Sequence, residues 1–220
     1  MERKNFLSYL GLSFLSTLFF SGKPALRFIP RTDCNDPITP PVPEGPYYKN
    51  EQLNRVNITE NQQGIPVDYV FRVEDKNCKP IGGAIVDIWQ CNNQGHYSDF
   101  QQEHTASEKW LRGYQTTDKN GICRFTSVFP GWYEGRLTHL HVKVIIDHQP
   151  VLTTNCFFPK ETEQEVYRSP LYPKGVNPIT LSQDAELRVD KDSTRHDALV
   201  MKVEKNGSNK LIASYTIAIA

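Results

Sequence analysis

The sequence predicts an all-β fold, a β-sandwich of mostly antiparallel strands with long irregular loops. Short runs rich in β-branched and aromatic residues recur along the chain, and turn signals separate them. The chain also contains 15 prolines and 13 glycines, which favours many turns over long helices. No stretch shows the apolar period of a convincing amphipathic helix. Short strands without helices to cover them are typical of a sandwich.

Two Asn-Gly pairs place the turns of two predicted hairpins, because Asn-Gly is among the best short hairpin signals. The first pair is Asn120–Gly121, and the second is Asn206–Gly207. Residues 159–182 contain four prolines and are predicted to form a long loop. The predicted strands are Val67–Glu74, Ala84–Gln90, Tyr114–Thr117, Ile122–Phe125, Thr138–Ile146, Val151–Phe158, Ala198–Val203 and Leu211–Ala220.

Length and charge exclude some classes of function. The 220 residues suffice for one well-cored domain with little to spare. Lysine plus arginine number 25, as do aspartate plus glutamate, so the net charge is zero. No basic field is therefore present to attract nucleic acid or an anionic membrane surface.

Residues 1–30 differ from the rest of the chain. Arg3 and Lys4 precede a mainly apolar run from Phe6 to Phe20, which is short for a membrane span but suits the core of an export signal. The order of residues resembles a twin-arginine signal with lysine in second place. We predict an exported protein, periplasmic or secreted, with residues 31–220 as its β-sandwich domain. An uncleaved N-terminal membrane anchor is the alternative, since no clean cleavage site follows.

The five cysteines do not form a metal-binding pattern. No two are spaced as CxxC, so a zinc ribbon has no support. Export would allow two disulfides and one free thiol, but the sequence leaves their pairing open. The cysteines are Cys34, Cys78, Cys91, Cys123 and Cys156.

The stretch from Gly131 to Val144 carries the strongest chemical signal. His139 and His141 are two residues apart, so on a strand their side chains point the same way and can bind one metal ion. A polar strand face is the plainer alternative. Tyr133 lies on the bent connection before the strand, and Tyr97 lies in a glycine-bearing loop after another predicted strand. Phenolate oxygen suits ferric iron better than softer ions.

Charge counting is consistent with such a centre. Ferric iron with two phenolates, two neutral imidazoles and one hydroxide is neutral overall, which avoids an unpaired buried charge. A catecholate dianion that replaces the hydroxide and one phenolate leaves the sum unchanged. A buried site could therefore exchange these ligands without gaining charge.

Four segments in order resemble the intradiol ring-cleavage dioxygenases, the family of catechol 1,2-dioxygenase and protocatechuate 3,4-dioxygenase. The resemblance extends over about residues 39–158. Within the family, the exported single-domain branch resembles this chain more closely than the catechol 1,2-dioxygenases do. The segments are EGPYY (Glu44–Tyr48), CKPIGGAIVDIWQCNNQGHYS (Cys78–Ser98), RGYQTTDKNGICRF (Arg112–Phe125) and FPGWYEGRLTHLHVKV (Phe129–Val144).

The resemblance implies an Fe(III) centre with Tyr97 and His139 as equatorial ligands and Tyr133 and His141 as axial ones. Tyr133 would leave when the substrate binds and accept its proton as a local base. Arg136 would stabilise negative charge that develops on the ring, although a surface or ion-pair role is the alternative. The implied reaction inserts both atoms of O2 into a catechol-type substrate and opens its ring to a cis,cis-muconate.

The remaining expectations concern the pocket. Pro46 and Tyr47 are expected to line its mouth, with core packing as the alternative. Asn155 lies fourteen residues after His141, where the family often carries glutamine, so the contacts behind the ligands are expected to differ. Three other histidines, His104, His148 and His196, are most simply placed at the surface.

Two rival functions remain at this point. One is an exported β-sandwich binding module that keeps the scaffold without turnover, which iron content would distinguish. The other is extradiol cleavage, which calls for two histidines and one carboxylate on Fe(II). No carboxylate lies at a telling spacing from His139 and His141, so the second rival is disfavoured.

Overall fold

The computed structural model describes residues 37–189, 195–207 and 209–220. The predicted export signal or anchor at residues 1–30 lies outside these ranges and stays a prediction. Within them, no helix is long and apolar enough to cross a membrane.

The described chain forms two four-stranded sheets, which confirms the predicted all-β sandwich. One sheet has the order β4-β1-β8-β7 and is antiparallel except for the parallel pair of β1 and β8. The other has the order β3-β2-β5-β6 and is antiparallel throughout. The strands are β1 (Pro66–Asp75), β2 (Ile85–Trp89), β3 (Arg112–Thr116), β4 (Ile122–Val128), β5 (His139–Ile146), β6 (Gln149–Phe157), β7 (Lys202–Lys205) and β8 (Leu211–Ile219).

Alternation along the strands builds the core between the sheets. Every second residue of β1 is apolar and buried, and the same holds for β5 and β8, so one face of each sheet packs against the other. The buried core fixes the strand register, because a shift of a strand by one residue would move its apolar side chains to the opposite face of the sheet. Its strand members include Val67, Tyr69, Phe71, Val73, Val86, Ile88, Phe125, Leu140, Val142, Val144, Ala213, Tyr215 and Ile217.

The predicted hairpin around Asn120–Gly121 is wrong in its pairing. Both of its strands exist, but β3 pairs with β2 and β4 pairs with β1, so the chain crosses between the sheets at this turn. The turn itself forms, since the Gly121 N–H donates to the Asp118 carbonyl oxygen at 2.9 Å. Beyond it, Phe125 packs edge-on against Phe71 of β1. Core contacts between strands thus decide the pairing, and the local turn does not.

The predicted loop at residues 159–182 contains one short α-helix, α1 (Lys160–Val166). At seven residues, this helix is too short to show a clear apolar period in the sequence. Short 3-10 turns lie at Gln101–Glu103, Leu181–Gln183, Leu187–Val189 and Asp197–Leu199. The predicted C-terminal hairpin is present as β7 and β8, which pair antiparallel. Its predicted first strand, Ala198–Val203, starts too early, because Asp197–Leu199 forms a 3-10 turn and β7 begins at Lys202.

The cysteines correct a second expectation. Cys91, Cys123 and Cys156 are free and buried, so two disulfides cannot form among the five cysteines. Cys78 is disulfide-bonded, and Cys34 lies outside the described residues. Burial of thiols in an apolar interior explains the difference, since the three free cysteines behave as small core residues.

Two glycines with the same backbone angle provide a test of the turn at Asn120–Gly121, where the chain crosses between the sheets. Gly121 and Gly207 both have a φ of +74°. A Cβ at Gly121 would lie 2.3 Å from the carbonyl oxygen of Val73 in β1, whereas no atom of the described residues beyond its chain neighbours lies within 4 Å of a Cβ at Gly207. We expect Gly207→Ala to lose only about 1–2 kcal/mol of unfolding free energy from left-handed strain. Gly121→Ala should lose about 1–3 kcal/mol more in urea denaturation, because it also displaces β1. Equal losses would contradict the crossing geometry.

Candidate metal centre

Strand β5 presents the two predicted histidines on the face opposite the core. Leu140 and Val142 point into the sandwich, so His139 and His141 point outward, toward the loops that cover the sheet. Both imidazoles are nevertheless buried. Their Nε2 atoms are 3.1 Å apart. Trp89, the neighbour of His141 across the β2–β5 pair, stacks on its ring at a centroid distance of 4.8 Å.

The loops that carry Tyr97 and Tyr133 touch backbone to backbone, and glycine allows this. A Cβ at Gly95, where φ is +85°, would lie 2.3 Å from a carbonyl oxygen of the other loop. A Cβ at Gly131 would lie 2.6 Å from the carbonyl oxygen of Asn92. Without these side chains, the Gly131 N–H donates to the Asn92 carbonyl oxygen at 2.9 Å. The close approach brings both phenols to the histidine pair.

The structure brings the four predicted ligands into one continuous cluster. The Tyr97 Oη lies 3.0 Å from the His141 Nε2, and the Tyr133 Oη lies 3.2 Å from the His139 Nε2. With the contact between the two histidines, all four donor atoms are linked by distances near 3 Å. Two ligand atoms that each lie ~2.1 Å from one metal ion at a right angle are themselves ~3.0 Å apart. The spacing therefore fits a shared ion.

The chemistry of the donors also fits a hard trivalent ion. Within the described ranges, no group of three or more His, Cys, Asp or Glu residues could hold a metal ion. The cluster instead combines two imidazoles with two phenols. Phenolate oxygen is a hard donor and suits ferric iron. The residues present thus fit the iron centre that the resemblance implies.

Burial sets the protonation of the four groups before a cation binds. Desolvation, followed by the nearby Arg136 charge, lowers the pKa of His139 and of His141, so both rings are neutral. The His139 Nδ1 donates to the Leu137 carbonyl oxygen at 2.6 Å, which leaves its Nε2 lone pair free for a metal ion. Burial also raises the pKa of Tyr97 and of Tyr133. A bound cation would lower both again and allow phenolate to form.

Arg136 is buried and forms an ion pair that the sequence did not reveal. Its Nε donates to both carboxylate oxygens of Asp184 at 3.0 Å, and one of these oxygens also accepts the Leu137 N–H at 2.7 Å. Its Nη1 donates to the Tyr133 Oη at 3.4 Å. Asp184 is 48 residues away in a segment without regular strands. The sequence could have indicated only that Arg136, if buried, needs some acidic partner, and not that this partner is Asp184.

Asn155 connects the arginine to one of the histidines. It lies opposite His141 in the β5–β6 register, which accounts for its position. Its Oδ1 accepts the Arg136 Nη2 at 2.6 Å, and its Nδ2 lies 2.9 Å from the His141 Nδ1. The short amide therefore reaches both neighbours. It lies in the layer directly behind the donor cluster, where a metal ligand is oriented.

Comparison with known proteins assigns the family. A family model described as Dioxygenase matches residues 43–166, which is more than half of the chain. The chain belongs to the intradiol ring-cleavage dioxygenase family. All four residues of the donor cluster lie within the matched range.

Named family members are distant relatives in sequence. Catechol 1,2-dioxygenase 1 of Acinetobacter lwoffii is 26% identical over an alignment of 180 residues that covers 68% of this chain and 58% of that protein. Catechol 1,2-dioxygenase of Candida albicans is 35% identical over 96 residues, 42% of this chain and 29% of that protein. The matches thus span 58% of the first relative's length and 29% of the second's.

Solved structures of the family share the fold over most of the chain. An intradiol ring-cleavage dioxygenase from Tetranychus urticae has a TM-score of 0.76 and 28% identity, and the match covers 83% of this chain and 94% of that one. The dioxygenase domain of a carbohydrate-binding fusion from Streptomyces sp. SirexAA-E has a TM-score of 0.62 and 28% identity, with 83% and 97% covered.

The expected pocket residues take different positions. Tyr47 stacks on Tyr97 with ring centroids 4.1 Å apart and meets Tyr133 edge-on at 5.7 Å, so it lies against both phenols. Pro46, next to it, is exposed at the surface. Among the other histidines, His104 and His148 are exposed as predicted. His196 is buried, so its predicted surface position is wrong; it is the residue at which the turn at Asp197–Leu199 begins.

Arg112 is a second residue that sequence reasoning missed. From β3 it donates to the Ser98 carbonyl oxygen and to the Tyr47 carbonyl oxygen, each at 2.8 Å. It therefore ties together the loop of Tyr97 and the segment of Tyr47. It lies within the RGY segment that resembles the family, but no spacing in the sequence indicates its partners.

The Arg136–Asp184 pair gives a prediction for stability. In Asp184→Asn, an amide NH2 replaces one oxygen and faces a donor, either Arg136 or the Leu137 N–H. Breaking a buried pair in this way should cost about 3–5 kcal/mol in urea denaturation. The control is Asp147→Asn at an exposed turn, where the change should stay within about 0.5 kcal/mol. A loss at Asp184 no larger than the control would show that the pair does not hold the site.

Proposed function

We propose that the protein is a non-haem Fe(III)-dependent intradiol dioxygenase. It inserts both atoms of O2 into a catechol-type substrate and cleaves the ring between the two hydroxylated carbons, which gives a cis,cis-muconate-type product. The observation that carries this proposal is the continuous cluster of Tyr97, Tyr133, His139 and His141 donor atoms, with neighbouring contacts of 3.0 to 3.2 Å. Family membership supports the reaction type.

When bound, ferric iron would supply a Lewis-acidic centre for the two catechol oxygens. The chain's own contribution is to fix the four donors and to exclude water. All four lie among buried or half-buried aromatic rings, with Trp89 against His141 and Tyr47 against Tyr97. In such a site, fixed charges and hydrogen bonds act more strongly than they would in water.

Tyr133 is the group suited to take a proton from the substrate. It lies on a bent loop and is only half-buried, whereas His139 and His141 are held in a strand and Tyr97 is fully buried, so it is the donor least enclosed by its surroundings. Burial raises its pKa in the free protein, and the nearby Arg136 charge opposes that rise. A Tyr133 phenolate that held the cation would have this high proton affinity once free of it. Tyr133 would then be a base placed where a catechol hydroxyl arrives.

Arg136 supplies fixed positive charge beside the reacting ring. Its guanidinium is buried and held by Asp184, with one nitrogen 3.4 Å from the Tyr133 Oη. The ion pair with Asp184 holds the Nε of the Arg136 guanidinium, and the Nη1 of the same group faces Tyr133. A preorganised donor of this kind stabilises negative charge without reorganising during the reaction.

The position of Tyr47 favours the binding of an aromatic substrate over an aliphatic one. Its ring stacks on Tyr97, and Phe100 meets it edge-on at a centroid distance of 5.1 Å. Together with Tyr133 these rings form an aromatic wall beside the donors. A flat ring packs well on such a wall, because stacked and edge-on arrangements are both favourable.

Two measurements on the isolated protein separate the proposal from a binding module without turnover. Protein from iron-replete cells should contain about one iron per chain and absorb broadly in the visible, and should consume O2 with catechol to give cis,cis-muconate. Removal of the iron by a chelator should abolish both the colour and the O2 uptake. A colourless, iron-free protein that binds catechol without O2 uptake would support the binding module instead.

Tyr133→Phe tests the role of the displaced tyrosine. The variant should keep iron and much of its colour, because Tyr97 still provides a phenolate. Its rate of O2 uptake should fall by about 10²–10⁴-fold, the usual contribution of a positioned acid or base. The matched control is Tyr114→Phe, a strand tyrosine on β3 outside the donor cluster, which should retain the wild-type rate. A Tyr133→Phe variant with full activity would refute the role proposed for this residue.

A further inference from the structure

Trp89 contacts a proposed metal ligand and takes no part in the proposed reaction. Its indole is buried and lies almost parallel to the His141 imidazole, with an angle of 4° between the ring planes and 4.8 Å between the centroids. The two residues are opposite each other in the β2–β5 register, on the face of the sheet that points away from the core. The strand pairing thus places a flat surface against one face of the imidazole.

The His141 ring needs such a contact more than the His139 ring does. The torsion that turns an imidazole about its Cβ–Cγ bond has a broad minimum, so a neighbour must fix it. The His139 Nδ1 donates to a backbone group, the Leu137 carbonyl oxygen, at 2.6 Å. Within the described part of the chain, the ring nitrogens of His141 meet only side chains, those of Tyr97, His139 and Asn155. A hydrogen bond to a side-chain amide tolerates a range of ring angles, whereas a parallel indole blocks the rotation.

Packing alone holds the indole of Trp89. Its Nε1 is buried and has no hydrogen-bond partner among the described residues. A buried N–H without a partner destabilises the fold, and a phenylalanine here would leave no such group. The hydrogen-bonding ability of tryptophan is therefore not used at this position. What tryptophan contributes here is its large flat face.

Tyr48 lies against the indole and is itself held at two points. Its ring centroid is 4.8 Å from that of Trp89. Its Oη donates to the Asp87 Oδ2 at 3.1 Å, and the Lys143 Nζ lies 3.5 Å from the centre of its ring. Asp87 and Lys143 face each other in the β2–β5 register, one step along the same sheet face from Trp89. Two successive cross-strand pairs and one tyrosine therefore build a single stack that ends at His141.

We propose that Trp89 is a positioning residue for the metal centre. It holds the plane of the His141 imidazole so that the Nε2 points to the position shared by the four donors, and Tyr48 acts through it by holding the indole. The inference rests on the proposed function, since it takes His141 as a ligand of ferric iron. A residue that orients a ligand from behind contributes to metal affinity, and its loss typically lowers that affinity by about 10–100-fold.

The first test compares Trp89→Leu with Trp89→Phe, which keeps a flat ring. The full chain is loaded with ferric iron, and a chelator is titrated against it while the visible absorption reports the bound iron. Trp89→Leu should bind iron about 10–100-fold more weakly than the wild type, and Trp89→Phe should recover most of this loss. The matched control is Trp110→Leu at another buried tryptophan, outside the donor cluster, which should lower stability but leave iron affinity unchanged.

A double-mutant cycle tests whether Tyr48 acts through Trp89. Tyr48→Leu should weaken iron binding less than Trp89→Leu does, because the indole remains. Adding Tyr48→Leu to Trp89→Leu should weaken iron binding no further, since no indole is left to hold. Thermal unfolding checks that each variant is folded. Additive losses in the double variant would overturn the role proposed for Tyr48.

Crystals of the metal-free protein give a readout that does not depend on iron. The His141 ring should have one orientation in the wild type and in Trp89→Phe, and several orientations in Trp89→Leu. Equal iron affinity, or an unchanged ring orientation, in Trp89→Leu would overturn the inference. Iron affinities in the expected order, without O2 uptake on addition of catechol, would instead overturn the proposed function and support the positioning role. A wild-type protein that binds no iron would overturn both.

Discussion

The two-residue period of strand β5 is the constraint on which the site depends. It sends Leu140 and Val142 into the core, and by the same geometry it sends His139 and His141 outward side by side. The pair cannot shift, because a slip of one residue would bury imidazoles in the core and expose the leucine and the valine. The sandwich thus fixes half of the donor set by the interaction that stabilises the fold, and the loops only have to supply the rest.

The loop donors Tyr97 and Tyr133 are held by backbone contacts and hydrogen bonds as well as by aromatic packing. Gly95 and Gly131 let two loops meet backbone to backbone, and Arg112 ties the Tyr97 loop to the segment of Tyr47. The different burial of the two tyrosines agrees with the roles proposed for them, Tyr97 as the retained donor and Tyr133 as the displaced base. Tyr97 is fully buried, whereas Tyr133 lies on a half-buried bend where movement costs less.

Sequence reasoning succeeded where short-range pattern carries the information. Short strands separated by turn signals predicted the β-sandwich, and the two-residue spacing predicted that His139 and His141 point the same way. Motif resemblance singled out Tyr97 and Tyr133. It failed where partners are distant in sequence. The Asn120–Gly121 turn formed, but its strands joined different sheets. Asp184 could not be linked to Arg136 across 48 residues, because no local pattern records which buried charges meet.

The most direct test of the central claim is an anomalous difference map at the iron absorption edge, from crystals of iron-loaded protein. A single ion bound by all four side chains predicts one strong peak ~2.1 Å from the donor atoms of Tyr97, Tyr133, His139 and His141. A map without a peak at this cluster, or with iron bound by the two histidines and a carboxylate, would contradict the account.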